Sequence, residues 1–287
     1  MTKIYQFLQI MKNIRFYKVA VGLYLAALLA PLSGSGQEIG LQLYSLREQF
    51  KGDVEGTLKL IHDWGITAIE GGGTYGMSGE DFKALLNKYD LHVRSVGTSY
   101  DDLNDVDGII KNARDFGAKY VMCAWIPHEG DSFTIEDAKK AVALFNKAGK
   151  KMKEAGITFA YHAHGYEFRP YEDGTLFDYM ARNADDFKFE MDVFWAQHGG
   201  ADPLELLNTY PDKFALLHLK DMEKGVTGNN TGHEDVETNV VLGTGQIDIA
   251  GLVKRAGELG LEYLFIEDES SRVVEQVPQS LTYLRNL

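Results

Sequence analysis

Short apolar runs alternate with amphipathic stretches along almost the whole chain. "EIGLQLYS" (38–45) reads as a strand and "VEGTLKLIHDWG" (54–65) as a helix ended by Gly65. "ITAIEGGG" (66–73) reads as a strand, and "SGEDFKALLNKYD" (78–90) as a helix that Ser78 can cap. The pattern repeats with strands at "LHVRSVG" (91–97), "AKYVMCAWIP" (118–127), "ITFAYHAH" (157–164), "FKFEMDVFW" (187–195), "FALLHLKDM" (214–222) and "EYLFIEDE" (262–269). Helices follow at 103–117, closed by Gly117; at 134–156, capped by Thr134; at 175–184; at 202–210, with Pro203 early; at 248–260; and at 273–287. Eight strands in strict alternation with eight helices predict a parallel sheet. In about 250 residues they predict a single (β/α)8 TIM barrel. The competing doubly wound sheet usually carries GxGxxG after its first strand, and "LYSLREQFKGD" has none.

The N-terminus breaks the pattern. Lys12, Arg15 and Lys18 precede an apolar run from Val19 to Ala30, then small residues from Ser33 to Gly36. That order predicts a signal peptide over 1–36 and a barrel domain over 37–287, exported to the periplasm, with no stable membrane insertion after cleavage. The chain has 29 basic and 42 acidic residues, a net charge of -13; the four basic residues before Gln37 are matched by no acidic one, so 37–287 carries 25 against 42, or -17. Such a surface repels phosphate backbones and anionic bilayers, which argues against nucleic acid as a partner. The lone Cys123 cannot form an internal disulfide and reads as a buried small hydrophobe.

Candidate chemistry gathers at strand ends. "FAYHAHGYEF" holds His162, His164 and Glu167; the following strands end in Glu190 and Asp192, in His218, Lys220 and Asp221, and in Glu267 and Glu269. A strand repeats every two residues, so each i, i+2 pair can face the barrel axis. Buried charges cost several kcal/mol unless paired or metal-bound, which is why four polar strand ends on one axis point to a divalent ion. The competing reading is a salt-bridge network of Lys220 with Asp192 or Glu267. Trp195 offers a face to a sugar ring and His198 a hydroxyl partner; Gln42 and Glu70 are further candidates for substrate binding. The long segment 222–246 belongs on the C-terminal face, where barrel active sites lie.

"GLQLYSLRE", "YHAHGYEF", "EMDVFWAQHGGADP", "LLHLKDM", "GTGQID" and "FIEDE" together resemble the sugar phosphate isomerase/epimerase family, the xylose-isomerase-like barrels grouped with type 2 AP endonucleases. The nearest pattern is the inosose-dehydratase-like branch with its YHNH-type segment. The resemblance implies a metal (Mn, Zn, Fe, Co or Mg) on Asp192, His218, Glu267 and a strand 5 residue. Position counting gives His162 where ketose epimerases of the family have a glutamate, and His164 or Glu167 stay open for that role. In those epimerases the strand 5 and strand 8 carboxylates act as acid and base, so Glu267 is a catalytic candidate beside Lys220 and His164.

The expected activity is that of an isomerase or epimerase working on a keto-sugar through an enediolate. A lyase or dehydratase acting on a 3-keto-glycoside or inosose-like substrate is the alternative, and a non-catalytic sugar-binding protein the third reading. The substrate is expected to be an unphosphorylated carbohydrate, and a homo-oligomer is allowed. A cation beside Lys220 would depress its pKa, leaving it as base or electrostatic clamp.

Overall fold

The computed structural model describes residues 36–71 and 73–287. The segment read as a signal peptide lies, but for Gly36, outside the described residues. Eight strands form one closed parallel barrel: β1 (Glu38–Gln42), β2 (Ala68–Glu70), β3 (His92–Thr98), β4 (Tyr120–Cys123), β5 (Thr158–His162), β6 (Lys188–Asp192), β7 (Phe214–Leu219) and β8 (Tyr263–Ile266), with β8 pairing back onto β1. The eight helices sit where the sequence puts them: α1 (Val54–Asp63), α2 (Gly79–Lys88), α3 (Val106–Phe116), α4 (Ile135–Glu154), α5 (Leu176–Arg182), α6 (Pro203–Thr209), α7 (Ile249–Glu258) and α8 (Val273–Leu284). No helix among the described residues is long and apolar enough to cross a membrane.

The caps are those the sequence offers. Ser78 Oγ accepts the Asp81 N–H at 3.1 Å, and Thr134 with Asp137 forms a reciprocal capping box on α4. Gly117 takes the left-handed conformation that ends α3. Two short helices lie outside the eight-fold pattern, at Arg47–Gly52 and Val193–His198. Cys123 is buried, and that burial pushes its thiol up to about 11.

Inside the barrel, the N-terminal end is closed by apolar side chains. Ala68, Leu216, Tyr263 and Phe265 pack together there, all buried. Gly40 makes this possible: a Cβ at that position would meet the Phe265 ring at 2.5 Å and the Ala68 carbonyl at 2.8 Å. The bulky ring and the missing side chain are register partners on neighbouring strands.

Candidate metal centre

Each functional side chain owes its place to a strand end. Asp192 and His218 are register partners on β6 and β7, so they stand side by side. His162 closes β5 opposite Glu190. Glu267 follows β8, and its N–H still bonds the Leu219 carbonyl at 3.1 Å, which extends the ladder by one residue. Ligand atoms of His162, Asp192, His218 and Glu267 all lie within 4.8 Å of one another. His218 Nδ1 is 3.4 Å from Glu267 Oε2 and 3.9 Å from Asp192 Oδ2; His162 Nε2 is 3.7 Å from the same Asp192 oxygen.

The donor set fits a divalent cation. His162 Nε2, Asp192 Oδ2 and His218 Nδ1 are buried and have no hydrogen-bond partner. Buried polar atoms are almost always satisfied, so three that converge on one point need a shared partner. Asp192 divides its oxygens: Oδ1 caps the Val193–His198 helix by accepting the Trp195 N–H at 2.9 Å, and Oδ2 is left for the site.

Beneath this group lies a second polar layer. Gln42 Nε2 donates to Glu70 Oε1 at 2.7 Å, and the same oxygen is 2.6 Å from His218 Nε2. Glu190 Oε1 is 3.3 Å from His218 Nε2. With carboxylates on Nε2, that nitrogen carries the hydrogen and Nδ1 offers its lone pair to the site. Burial, with Glu70 alongside, pushes the Glu190 carboxyl well above the usual carboxylate range. Burial opposes charge on His218, yet Glu190, Glu267 and Glu70 together raise its pKa well above the ordinary value, so a cation at Nδ1 would have to displace a proton there.

Lys220 is almost wholly buried. Its Nζ donates to Glu269 Oε1 at 2.6 Å and sits 3.7 Å from Glu267 Oε2, with the rings of Phe194 and Trp195 centred at 5.2 and 5.4 Å. Burial works against its charge, but Glu267, Glu269 and Asp192 outweigh it, and the ammonium is held above its ordinary value. The depression expected from the sequence was the effect of a neighbouring cation; with the carboxylates alone the ammonium is favoured, and Lys220 is placed to clamp Glu267 and Glu269. The salt bridges expected as the competing reading form chiefly with Glu269 and Glu267, and they coexist with the ligand cluster.

The cluster opens into a cavity of about 610 Å³ lined by His162, His164, Trp195, His218, Glu267 and Glu269, among others. The His164 ring stacks on His162 at 4.5 Å, and burial lowers its pKa to about 4, so it is neutral at pH 7. Glu167 turns away: its carboxylate accepts the His164 N–H at 3.1 Å and the Tyr161 hydroxyl, and burial pushes it up to about 7. Of the four residues expected to bind substrate, Gln42 and Trp195 line the cavity. His198 and Glu70 do not. The Val193–His198 helix turns His198 inward, where it stacks on Phe194 at 5.5 Å. Glu70, with no exposed surface, lies behind His218.

Several lining residues had no signal in the periodicity. Tyr44 stands in the short 3-10 turn Leu43–Leu46 after β1, Tyr75 and Trp125 in loops after β2 and β4, and His233 and Glu234 come from the segment 222–246. That segment is pinned by Asp221, whose carboxylate accepts N–H groups of Met222, Gly243, Gly245 and Ile247 at 2.8–3.1 Å. The only pointer to the β1 loop was "LYSLR" within a family-like stretch.

A closed parallel barrel with a buried His, Asp, His, Glu cluster at its C-terminal mouth defines the class of protein. Residues 58–287 match the model of the xylose isomerase-like TIM barrel. The chain belongs to that family. It is 25% identical over 223 residues to the inosose dehydratase of Geobacillus kaustophilus (strain HTA426), covering 69% of this chain and 70% of that protein. A solved sugar phosphate isomerase/epimerase from Parabacteroides distasonis ATCC 8503 superposes with a TM-score of 0.69 at 26% identity, over 87% of this chain and 94% of that one. The fold is shared by IolI protein with a bound zinc atom, at a TM-score of 0.68 and 14% identity over 87% of this chain and 97% of that one.

Proposed function

We propose that the protein is a divalent-metal-dependent enzyme that removes a carbon-bound proton next to the carbonyl of a keto-sugar. The observation that carries this reading is the convergence of four ligand atoms within 4.8 Å at the cavity floor, three of them buried without a hydrogen-bond partner. An ion held by His162, Asp192, His218 and Glu267 would act as a Lewis acid toward the ketone oxygen and stabilise an enediolate. Mixed imidazole and carboxylate donors suit Zn, Mn, Fe or Co better than Mg; the zinc of the IolI structure supports the same choice.

His164 takes the proton in this reading, because it is neutral and borders the cavity. The Lys220 ammonium steadies Glu267 and Glu269 against their mutual repulsion. Trp195, buried and lining the cavity beside His164 and Lys220, would give the sugar ring an apolar face.

Two fates share that step. Epimerisation by opposed carboxylates needs one on β5, and β5 supplies His162 instead. Elimination needs one base only. We therefore rank a lyase or dehydratase acting on a 3-keto-glycoside or inosose-like substrate first, which reverses the order given by the sequence, and the dehydratase relative supports it. The C–H electron pair becomes the C=C bond; the C–O pair leaves with the departing oxygen, which takes up the proton carried by His164. Isomerase or epimerase action is the second reading.

The test is metal analysis with product NMR in D2O on ketoses and 3-keto-glycosides. One ion per chain and an unsaturated keto-sugar with released alcohol are expected. Carbon-bound deuterium in a rearranged sugar would select the second reading, binding without turnover a sugar-binding protein, and metal-free active enzyme would overturn the metal centre. His164→Ala should keep the ion and lower kcat by about 10²–10⁴-fold. Export is part of the proposal, supported by the basic, apolar and small-residue order of 12–36. Sequencing of the native protein should begin near Gln37; an intact segment 12–36 would overturn it.

A further inference from the structure

We propose that the cavity mouth is a subsite for a second, uncharged ring, so that the substrate is a glycoside whose leaving group is itself a ring and not a phosphorylated monosaccharide. The proposal rests on the reading above that the reacting sugar lies at the four-residue cluster.

The two sides of the cavity differ. The β5–β8 side carries His162, His218 and Glu267, whereas the β3–β4 side presents Gly97, Met122 and Ala124, small or uncharged. Around the mouth on the β1–β4 side stand Tyr44, Tyr75 and Trp125, which are 55%, 36% and 37% exposed. Five large hydrophobic residues are exposed among the described residues, and these three share one cavity. Aromatic faces gathered at the mouth of a polar site mark a binding surface.

Each ring is braced from behind. Tyr75 stacks on Phe50 with centroids 3.9 Å apart and planes 6° apart, and it does so from a left-handed backbone (φ 53°) that a bulky side chain rarely adopts. Trp125 stacks on His128 at 5.0 Å and meets Tyr166 edge-on at 5.1 Å. Tyr44 carries the Arg47 guanidinium at 4.5 Å. Rings fixed before the ligand arrives lose little freedom on binding.

Charge decides against phosphate. Glu234, Glu267 and Glu269 line the cavity. Its one guanidinium, Arg47, is already occupied: it donates to the Tyr44 and Glu269 carbonyls at 3.1 Å each and lies 3.8 Å from the Glu269 carboxylate. A neutral ring meets stacking faces here, and a phosphate meets carboxylates.

Calorimetric titration of the metal-loaded protein with unoxidised probes tests this apart from chemistry, because such probes have no ketone to react. Cellobiose and phenyl glucoside should bind about 3- to 10-fold more tightly than methyl glucoside, the range that aromatic stacking supplies. Glucose 6-phosphate should bind more weakly than methyl glucoside. The stronger of the first two tells whether the second ring is a sugar or an aryl group. Trp125→Ala and Tyr75→Ala should bring the ratio toward one, with circular dichroism confirming a native fold and Trp125→Phe restoring part of the preference. Equal binding of all neutral probes, no measurable binding of either two-ring probe, tightest binding of the phosphate, or an unchanged ratio in both folded alanine variants would each overturn the subsite. Ring preference without turnover of any keto-sugar would refute the proposed function and leave the subsite standing; turnover of methyl 3-keto-glucoside without ring preference would do the reverse.

Discussion

The two ends of the barrel interior are built from the same strands and fill it with opposite chemistry. Two residues along each strand, Gly40 becomes Gln42, Ala68 becomes Glu70, Ala160 becomes His162, Leu216 becomes His218 and Phe265 becomes Glu267. The lower layer closes on itself through Phe265, Tyr263, Leu216 and Ala68. The upper layer leaves His162, Asp192 and His218 atoms unpartnered. The comparison teaches that the lower layer supplies the rigidity and the upper layer the reactivity. The two meet where the Phe265 ring stands edge-on to His218 at 6.4 Å, so a change in one should reach the other's readout in weakened form.

The largest separation is expected from the ligands. Asp192→Ala and His218→Ala should each abolish stoichiometric metal and activity while the far-ultraviolet dichroism stays native. Retention of one ion per chain in both variants, by elemental analysis, would remove this ligand set. Phe265→Ala works at the other end. It should cost about 3–5 kcal/mol of stability, the usual loss for a buried phenylalanine, and lower metal affinity far less than the ligand variants do. Denaturant unfolding with metal titration checks both halves; equal stability to the parent would mean that the floor is not the rigid end.

The legibility of the chain follows the same division. Strands and helices were readable because apolar runs of four to eight residues alternate with amphipathic stretches punctuated by Ser78, Gly117, Thr134 and Pro203. The polar strand ends were readable because a period of two places them on the axis, where hydrophobic filling would be cheaper; the choice of Asp192, His218 and Glu267 among them came from the family resemblance, which left His162, His164 and Glu167 open for the β5 position. Glu70 was misread as a substrate-binding residue, since only closure of the barrel brings it against His218, 148 residues away. His198 was misread because the short Val193–His198 helix rotates it inward. The rim aromatics and the Asp221 staple lie beyond the barrel strands, in turns and in elements of two to four residues, where spacing carries no directional information.

Just past the end of β5, in the turn Tyr166–Phe168, Glu167 joins no proposed ligand set, yet it is fully buried and raised to about 7 by desolvation. A carboxyl with its folded pKa above the ordinary 4.5 binds more protons folded than unfolded in that window. Its contribution to stability is therefore present below pH 4.5 and is lost as pH rises toward 7. The loss is about 3 kcal/mol in order of magnitude. Glu167→Gln should flatten the fall in stability from pH 4.5 to 7, measured by denaturant unfolding. An unchanged slope would place the titration elsewhere.

The smallest expected effect sharpens the boundary between the layers. Glu70 stands one step behind the four-residue cluster: it is buried, and its one bond to a residue of that cluster is to His218 Nε2 at 2.6 Å. If its carboxylate fixes the tautomer that turns Nδ1 toward Asp192 and Glu267, then Glu70→Gln should weaken metal binding about 10–100-fold, the range for partners of ligating histidines. Glutamine keeps the volume and can still accept the His218 N–H, but it lacks the charge that raises ligand basicity. Glu70→Ala removes both and should weaken binding further, whereas Gln42→Ala, which only loosens the carboxylate, should do less than either. Competition with a chelator of known affinity reads all three. An equal loss in the three variants would assign Glu70 to packing, and the boundary between floor and mouth would then lie above it.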